Sequence, residues 1–168
     1  MPVRDIRLLD PEVQKKAESL LKALKAKGLD GIITETYRSR ATHNAYYAQG
    51  RAPLAAVNGL REGVGLWPIT FKQNRIITWL KDTLHFYDVA FDFALVSKGR
   101  AVWSTKADIN DNDIPDYIEA GKIAKECGLE WGGDWKKRDM VHCQYTGGLT
   151  KKQLEEGMRP SDLITRDT

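Results

Sequence analysis

The chain has 168 residues, 42% hydrophobic and 29% charged, with a net charge of +3. That is enough apolar material for one core, so a single domain over residues 1–168 is expected, and the charge is too small and too evenly spread for a disordered tail or a nucleic-acid arm. Cys127 and Cys143 cannot build a disulfide scaffold, and no segment resembles a signal peptide or approaches the roughly 20 apolar residues of a membrane span, so a soluble chain made in the cytoplasm is expected.

Asp10-Pro11-Glu12 reads as a helix start, and Val13, Ala17, Leu20, Leu21 and Leu24 recur at helical spacing up to Gly28. GIITET (31–36) predicts a strand, and Ser39 caps a second helix through RATHNAYYAQ that stops at Gly50, leaving Arg38 in the turn between them. Residues 51–74 show no clear period and read as a long surface excursion, whereas RIITWL (75–80) and DVAFDFALV (88–96) read as strands, with SKGR turning into a third, AVWS. A helix follows from Asp113 and Pro115 to Gly128, then a glycine-rich aromatic loop, LEWGGDWKKRD, and a last strand, MVHCQY. Thr150 and Gln153 form a capping-box pattern for a short terminal helix. Helices and strands do not alternate strictly, which predicts an α+β fold with a central, mostly antiparallel sheet and flanking helices.

The chemistry is concentrated in LHFYDVAFDFAL (84–95), an apolar segment that carries His85, Asp88 and Asp92. Unpaired buried carboxylates cost several kcal/mol, so these acids either face water on one side of a sheet or hold something. In an unbroken strand His85 and Asp92, seven apart, point to opposite faces, so they share a site only if the chain turns at Phe86-Tyr87-Asp88. Beyond that turn Asp88, Ala90 and Asp92 share one face and Val89, Phe91 and Phe93 the other. By the same parity His142 and Gln144 share a face, and Cys143 points to the core with Val141. His85, Asp92 and His142 would supply the three ligands of a catalytic zinc site, with Asp139 at the strand entrance able to take a proton beside it. A histidine beside an aspartate is more often a structural hydrogen-bonded pair, so spacing alone leaves both readings open.

Three blocks, ITETYRSRATHNAYYAQGR, LHFYDVAFDFAL and GLEWGGDWKKRDMVHCQ, together resemble the zinc-dependent L-alanyl-D-glutamate peptidases of phage endolysins and bacterial cell-wall hydrolases, relatives of the D-alanyl-D-alanine carboxypeptidases, over about residues 30–146. The family motif S-x-H-x-x-G-x-A-x-D is similar to the segment from Thr83 to Asp92, and its acid-x-x-His motif to Asp139–His142. The resemblance implies a hedgehog/D-Ala-D-Ala peptidase-like fold, Zn2+ held by His85, Asp92 and His142, Asp139 as catalytic base and Arg38 as the group that polarises the substrate carbonyl. Gln144, Trp131, Trp135 and Asp88 are the expected substrate contacts, although Asp88, which replaces the family glycine, is read first as the residue that completes the turn. Thr83 and Cys143 are further departures, from serine and from an aromatic residue.

The activity implied is hydrolysis of the L-alanyl-D-glutamate bond of peptidoglycan. The alternatives are a D-alanyl-D-alanine carboxypeptidase and a non-catalytic zinc-bearing module of the same fold. The expected partner is peptidoglycan, with no nucleic acid and no membrane insertion, and the chain is expected to be monomeric. No separate wall-binding domain is visible, and the lack of a signal fits release to the wall through a holin pore.

Overall fold

The computed structural model describes residues 2–164. In chain order its elements are α1 (Pro11–Ala26), β1 (Asp30–Glu35), α2 (Arg40–Ala48), α3 (Leu54–Gly63), β2 (Ala90–Ser97), β3 (Arg100–Val102), α4 (Asp116–Glu126), β4 (Glu130–Trp131), β5 (His142–Gln144), α5 (Lys151–Glu155) and α6 (Pro160–Ile164). Among the described residues no helix is long and apolar enough to cross a membrane.

The α1 start follows its sequence signals: Pro11 sits in the first turn and the Asp10 carboxylate accepts the Glu12 N–H at 3.0 Å. Its buried stripe, Val13, Ala17, Leu20 and Leu24, packs with Phe91, Phe93 and Leu95 of β2 and with Tyr117, Ala120 and Ala124 of α4 in one continuous core. Each such Leu or Phe side chain contributes about 1.5–3 kcal/mol on burial. The sheet is antiparallel throughout, in the order β1-β2-β5-β4, as the α+β reading expects. β2 is shared along its length: Ala90–Asp92 pair with β5, and Leu95–Ser97 pair with β3. The β2–β3 hairpin closes through Lys98 and Gly99, both at positive φ, the conformation a two-residue hairpin turn requires.

Two expectations are corrected here. The 51–74 excursion contains the helix α3, anchored by Val57, which is fully buried, and by Asn58, whose side-chain amide brackets Ile69 at 2.8 and 3.0 Å. Residues 75–80 form no strand. They run as an irregular strap whose carbonyls are taken by side chains: Leu80 O accepts from His43 Nε2 at 2.9 Å and Thr78 O from Arg51 at 3.0 Å. The strap lies so close to Gly50 that a Cβ there would fall 2.4 Å from Ile76 N. The aromatic loop is likewise not wholly irregular, since it contributes β4 and a 3-10 turn at Gly132–Asp134.

Candidate metal centre

The turn required between His85 and Asp92 exists. Leu84–Tyr87 form a 3-10 turn in which the Thr83 hydroxyl accepts the His85 N–H at 3.4 Å, and Asp88 ends it in the left-handed region (φ 60). Val89, just before β2, and Phe91 and Phe93 within it are fully buried on the core side, with Asp92 on the other. Asp92 pairs in register with His142, and Cys143 pairs with Phe91 inside the core, as parity predicts. Burial holds the Cys143 thiol far above its ordinary pKa, so it offers no thiolate.

The three side chains meet: one ligand atom from each of His85, Asp92 and His142 lies within 4.8 Å of the others. The hydrogen bonds fix which atoms these are. His85 Nδ1 lies 2.7 Å from the Thr36 carbonyl, which can only accept, so Nδ1 carries the proton and Nε2 turns a lone pair towards Asp92 Oδ1, 3.3 Å away. The Gln144 amide donates to Glu130 at 2.6 Å, which leaves its Oε1 to accept from His142 Nε2 at 3.0 Å. His142 Nδ1 therefore also presents a lone pair, 3.1 Å from the same Asp92 oxygen. Two lone pairs and a carboxylate oxygen aimed at one point, each ligand oriented by a neighbour behind it, fit a divalent metal ion. Burial acts to raise the Asp92 carboxyl, but without an ion between them the same ring nitrogens can carry protons, and as charged N–H donors to Asp92 they outweigh that burial and hold the pKa well below the carboxylate range.

The other oxygen of Asp92 faces Arg38 at 3.4 Å. Arg38, its side chain 11% exposed, is clamped by Glu35, with Nε 3.0 Å from Oε1 and a second contact from a terminal nitrogen to Oε2, and its third nitrogen lies 3.5 Å from His43 Nδ1. Glu35 reaches this face because β1 bulges: Ile33 pairs with Phe93, but the next partner of β2 at Asp92 is Glu35, one residue further on than a regular ladder allows. Sequence reasoning missed Glu35 and His43. The E-x-x-R spacing was the only signal for the first, and the second was the remaining histidine, wholly buried.

Asp139 lines the same cleft of about 160 Å³ as Arg38 and the three metal-site residues. It is open to solvent, yet partial desolvation, and after it the charge of Asp92, raises its carboxyl. Its backbone is pinned to Gly132 O at 2.9 Å, an approach only glycine permits, since a Cβ on Gly132 would sit 2.5 Å from the Asp139 carbonyl oxygen. Trp135 lines the cleft with its ring 5.0 Å from that of His142, and Gln144 lies beside it.

Two expected substrate contacts are corrected. Trp131 is a core residue, 5% exposed, with its indole N–H on the Met140 carbonyl at 2.9 Å. Asp88 serves the turn; its carbonyl accepts the Asp10 N–H at 2.9 Å, and it does not line the cleft. The cleft wall also contains Asp82 and Lys151, an ion pair that the sequence did not signal.

With this geometry in hand, comparison with known proteins is specific. Residues 79–145, which contain His85, Asp92, Asp139 and His142, match the family model described as D-alanyl-D-alanine carboxypeptidase. The chain is 35% identical over 140 residues to the peptidoglycan L-alanyl-D-glutamate endopeptidase CwlK of Bacillus subtilis, covering 81% of this chain and 72% of CwlK. Among solved structures it shares the fold of the L-Ala D-Glu endopeptidase ChiX of Serratia marcescens (TM-score 0.50, 18% identity, 88% of this chain and 90% of that one). It also shares that of VanYB in complex with D-alanine-D-alanine (TM-score 0.52, 15% identity, 95% of this chain and 84% of that one).

Proposed function

We infer the activity from what the chain is: it belongs to the peptidase family that includes the D-alanyl-D-alanine carboxypeptidases and the peptidoglycan L-alanyl-D-glutamate endopeptidases. We propose that it is a zinc-dependent endopeptidase that hydrolyses the L-alanyl-D-glutamate bond of peptidoglycan stem peptides. The observation that carries this is the convergence of His85 Nε2, His142 Nδ1 and Asp92 Oδ1 beside the solvent-exposed carboxylate of Asp139, in a chain 35% identical to an enzyme of that specificity.

Zinc held by the two imidazoles and the carboxylate supplies Lewis acidity towards a carbonyl oxygen and towards water. Asp139 is the base: its carboxylate takes the proton of the attacking water and returns it to the leaving amine of D-glutamate. Arg38 spends four of its five N–H groups on Glu35, Asp92 and His43; the fifth has no protein partner among the described residues and is assigned to the charge that develops on the alanyl carbonyl oxygen. Trp135 closes one side of the cleft over His142, and Gln144 orients that imidazole from behind.

An endolysin-like role, in which the enzyme reaches the wall through a holin pore, accords with this activity. Incubation with purified stem peptides followed by mass analysis tests the specificity. Cleavage between L-alanine and D-glutamate supports the reading. Release of a lone D-alanine replaces it with the carboxypeptidase reading that the family match at 79–145 favours.

A further inference from the structure

The connection from β3 to α4 carries oxygen donors that the peptidase chemistry does not use. Residues 108–119 read DINDNDIPDYIE, with Asp108, Asn110 and Asn112 at the first, third and fifth places and Glu119 at the twelfth. That is the donor spacing of a twelve-residue calcium loop, in which the seventh place gives a backbone carbonyl and the ninth a further oxygen. The sixth place, which needs a left-handed residue and is glycine in such loops, is Asp113 at φ 64. The loop winds around Asp108, whose two carboxylate oxygens accept the N–H groups of Asn112 and Asp113 at 3.1 and 2.9 Å.

The independent sign of a ligand is at the ninth place. Asp116 is wholly buried; one oxygen accepts the Ile109 N–H at 2.8 Å, and the other has no partner among the described residues. The side-chain oxygen of Asn110, at the third place, is buried and unpartnered in the same way. An orphaned buried oxygen costs about 1–3 kcal/mol, and more when it is charged. Here desolvation raises the Asp116 carboxyl, the backbone N–H groups of Ile109 and Asn110 lower it, and the Asp108 and Glu119 carboxylates raise it further. Glu119 Oε2 meanwhile takes the amide N–H groups of both Asn110 and Asn112, each at 2.9 Å. Turning those two amides over would present two more oxygens in place of two donors.

We propose that this loop is a calcium site, with side-chain oxygens of Asp108, Asn110, Asn112, Asp116 and Glu119 and the backbone carbonyl of Ile114 as its donors. An all-oxygen set of six donors suits calcium, which tolerates irregular geometry, better than magnesium or zinc. None of these residues belongs to the His85–Asp92–His142 centre, so the site stands or falls independently of the peptidase reading.

The test is calorimetric titration of the full-length, zinc-loaded chain with calcium. The expected result is one calcium per chain, a higher thermal midpoint at about 1 mM calcium, and magnesium at least about tenfold weaker. Glu119→Gln and Asp108→Asn should each weaken calcium binding by about tenfold or more while zinc content stays constant. Absence of heat and of any thermal shift overturns the proposal, as does parent-like affinity in both variants. Loss of calcium binding in His142→Ala overturns it too, because the ion would then sit at the catalytic centre. Should the loop variants not fold, terbium luminescence of the parent chain, excited through Tyr117 next to Asp116, is the deciding measurement: calcium must displace it, and no sensitised emission overturns the site.

Discussion

Asp92 and His142 face each other across the β2–β5 ladder, with the carboxylate Oδ1 3.1 Å from the imidazole Nδ1 and only 3.3 Å from the Nε2 of His85. One oxygen thus stands between two lone pairs, and removing either imidazole dismantles the set. His142→Ala is expected to lose both zinc and hydrolysis. Asp139→Ala, which deletes no ligand, is expected to keep one zinc per chain and to lose about 10²–10⁴-fold in kcat. Elemental analysis beside a hydrolysis assay checks both, and an Asp139→Ala chain that cleaves at the parent rate removes that residue from the mechanism.

Glu35→Ala is expected to be costly out of proportion to its size. It leaves the buried Arg38 guanidinium with Asp92 as its sole carboxylate partner, and breaking a buried pair from one side costs about 3–5 kcal/mol. Denaturant unfolding measures the loss. A variant within 1 kcal/mol of the parent, on the order of the benefit of a surface pair, would mean that Arg38 does not depend on Glu35.

Cys143→Ser is expected to retain full zinc content while losing about 1–3 kcal/mol of stability, because it takes a hydroxyl out of water into the apolar core opposite Phe91. The thiol should also resist aromatic disulfide reagents until the chain unfolds. Metal loss from a folded Cys143→Ser protein would contradict the face assignment.

The strap over the cleft is pinned by Asp82, which pairs with Lys151 and, at 3.4 Å, with Arg40. Partial desolvation raises the Asp82 carboxyl, but those cations outweigh it and the folded-state pKa lies below the ordinary value. A depressed carboxyl stabilises the fold above its unfolded pKa of about 3.9, and that contribution disappears as the pH falls through the folded value. Asp82→Asn should therefore be less stable than the parent at pH 7, by about 1 kcal/mol or less at this partly exposed site, with the difference closing below about pH 4. A gap that does not narrow with acid would rule out the ion pair as its source.

Gly121→Ala tests the packing behind the loop. A Cβ on Gly121 would lie 2.4 Å from the Trp131 indole, so α4 or β4 must shift, at a cost of about 1–3 kcal/mol. A thermal midpoint equal to the parent's would show that Trp131 is not wedged there.

The metal-site residues were legible through the resemblance more than through spacing: parity put His85 and Asp92 on opposite faces unless the chain turned at Phe86-Tyr87-Asp88, and aspartate tolerates the left-handed geometry found there. Glu35 was not legible, since its position depends on a bulge that shifts the β1 register by one. Residues 75–80 look like a strand because bulky apolar residues favour extended backbone, but pairing needs a free neighbouring edge, and here Gly50, His43 and Arg51 take hold of the segment first. Trp131 and Trp135 look equivalent in the sequence. The contact with Gly121 draws the first into the core, while the second, past the 3-10 turn, is left over the cleft.

The turn at Asp88 also bears on how this segment can change over time. From His85 to Asp92 every residue has an assigned place, in the 3-10 turn, at the left-handed corner or on one face of β2. Deleting or inserting a single residue after Asp88 would exchange the faces, driving Phe91 into the cleft and a carboxylate into the core. Length variation among descendants of this chain is therefore expected to collect in 51–74, and the interval between these two ligands to stay fixed even where its letters drift.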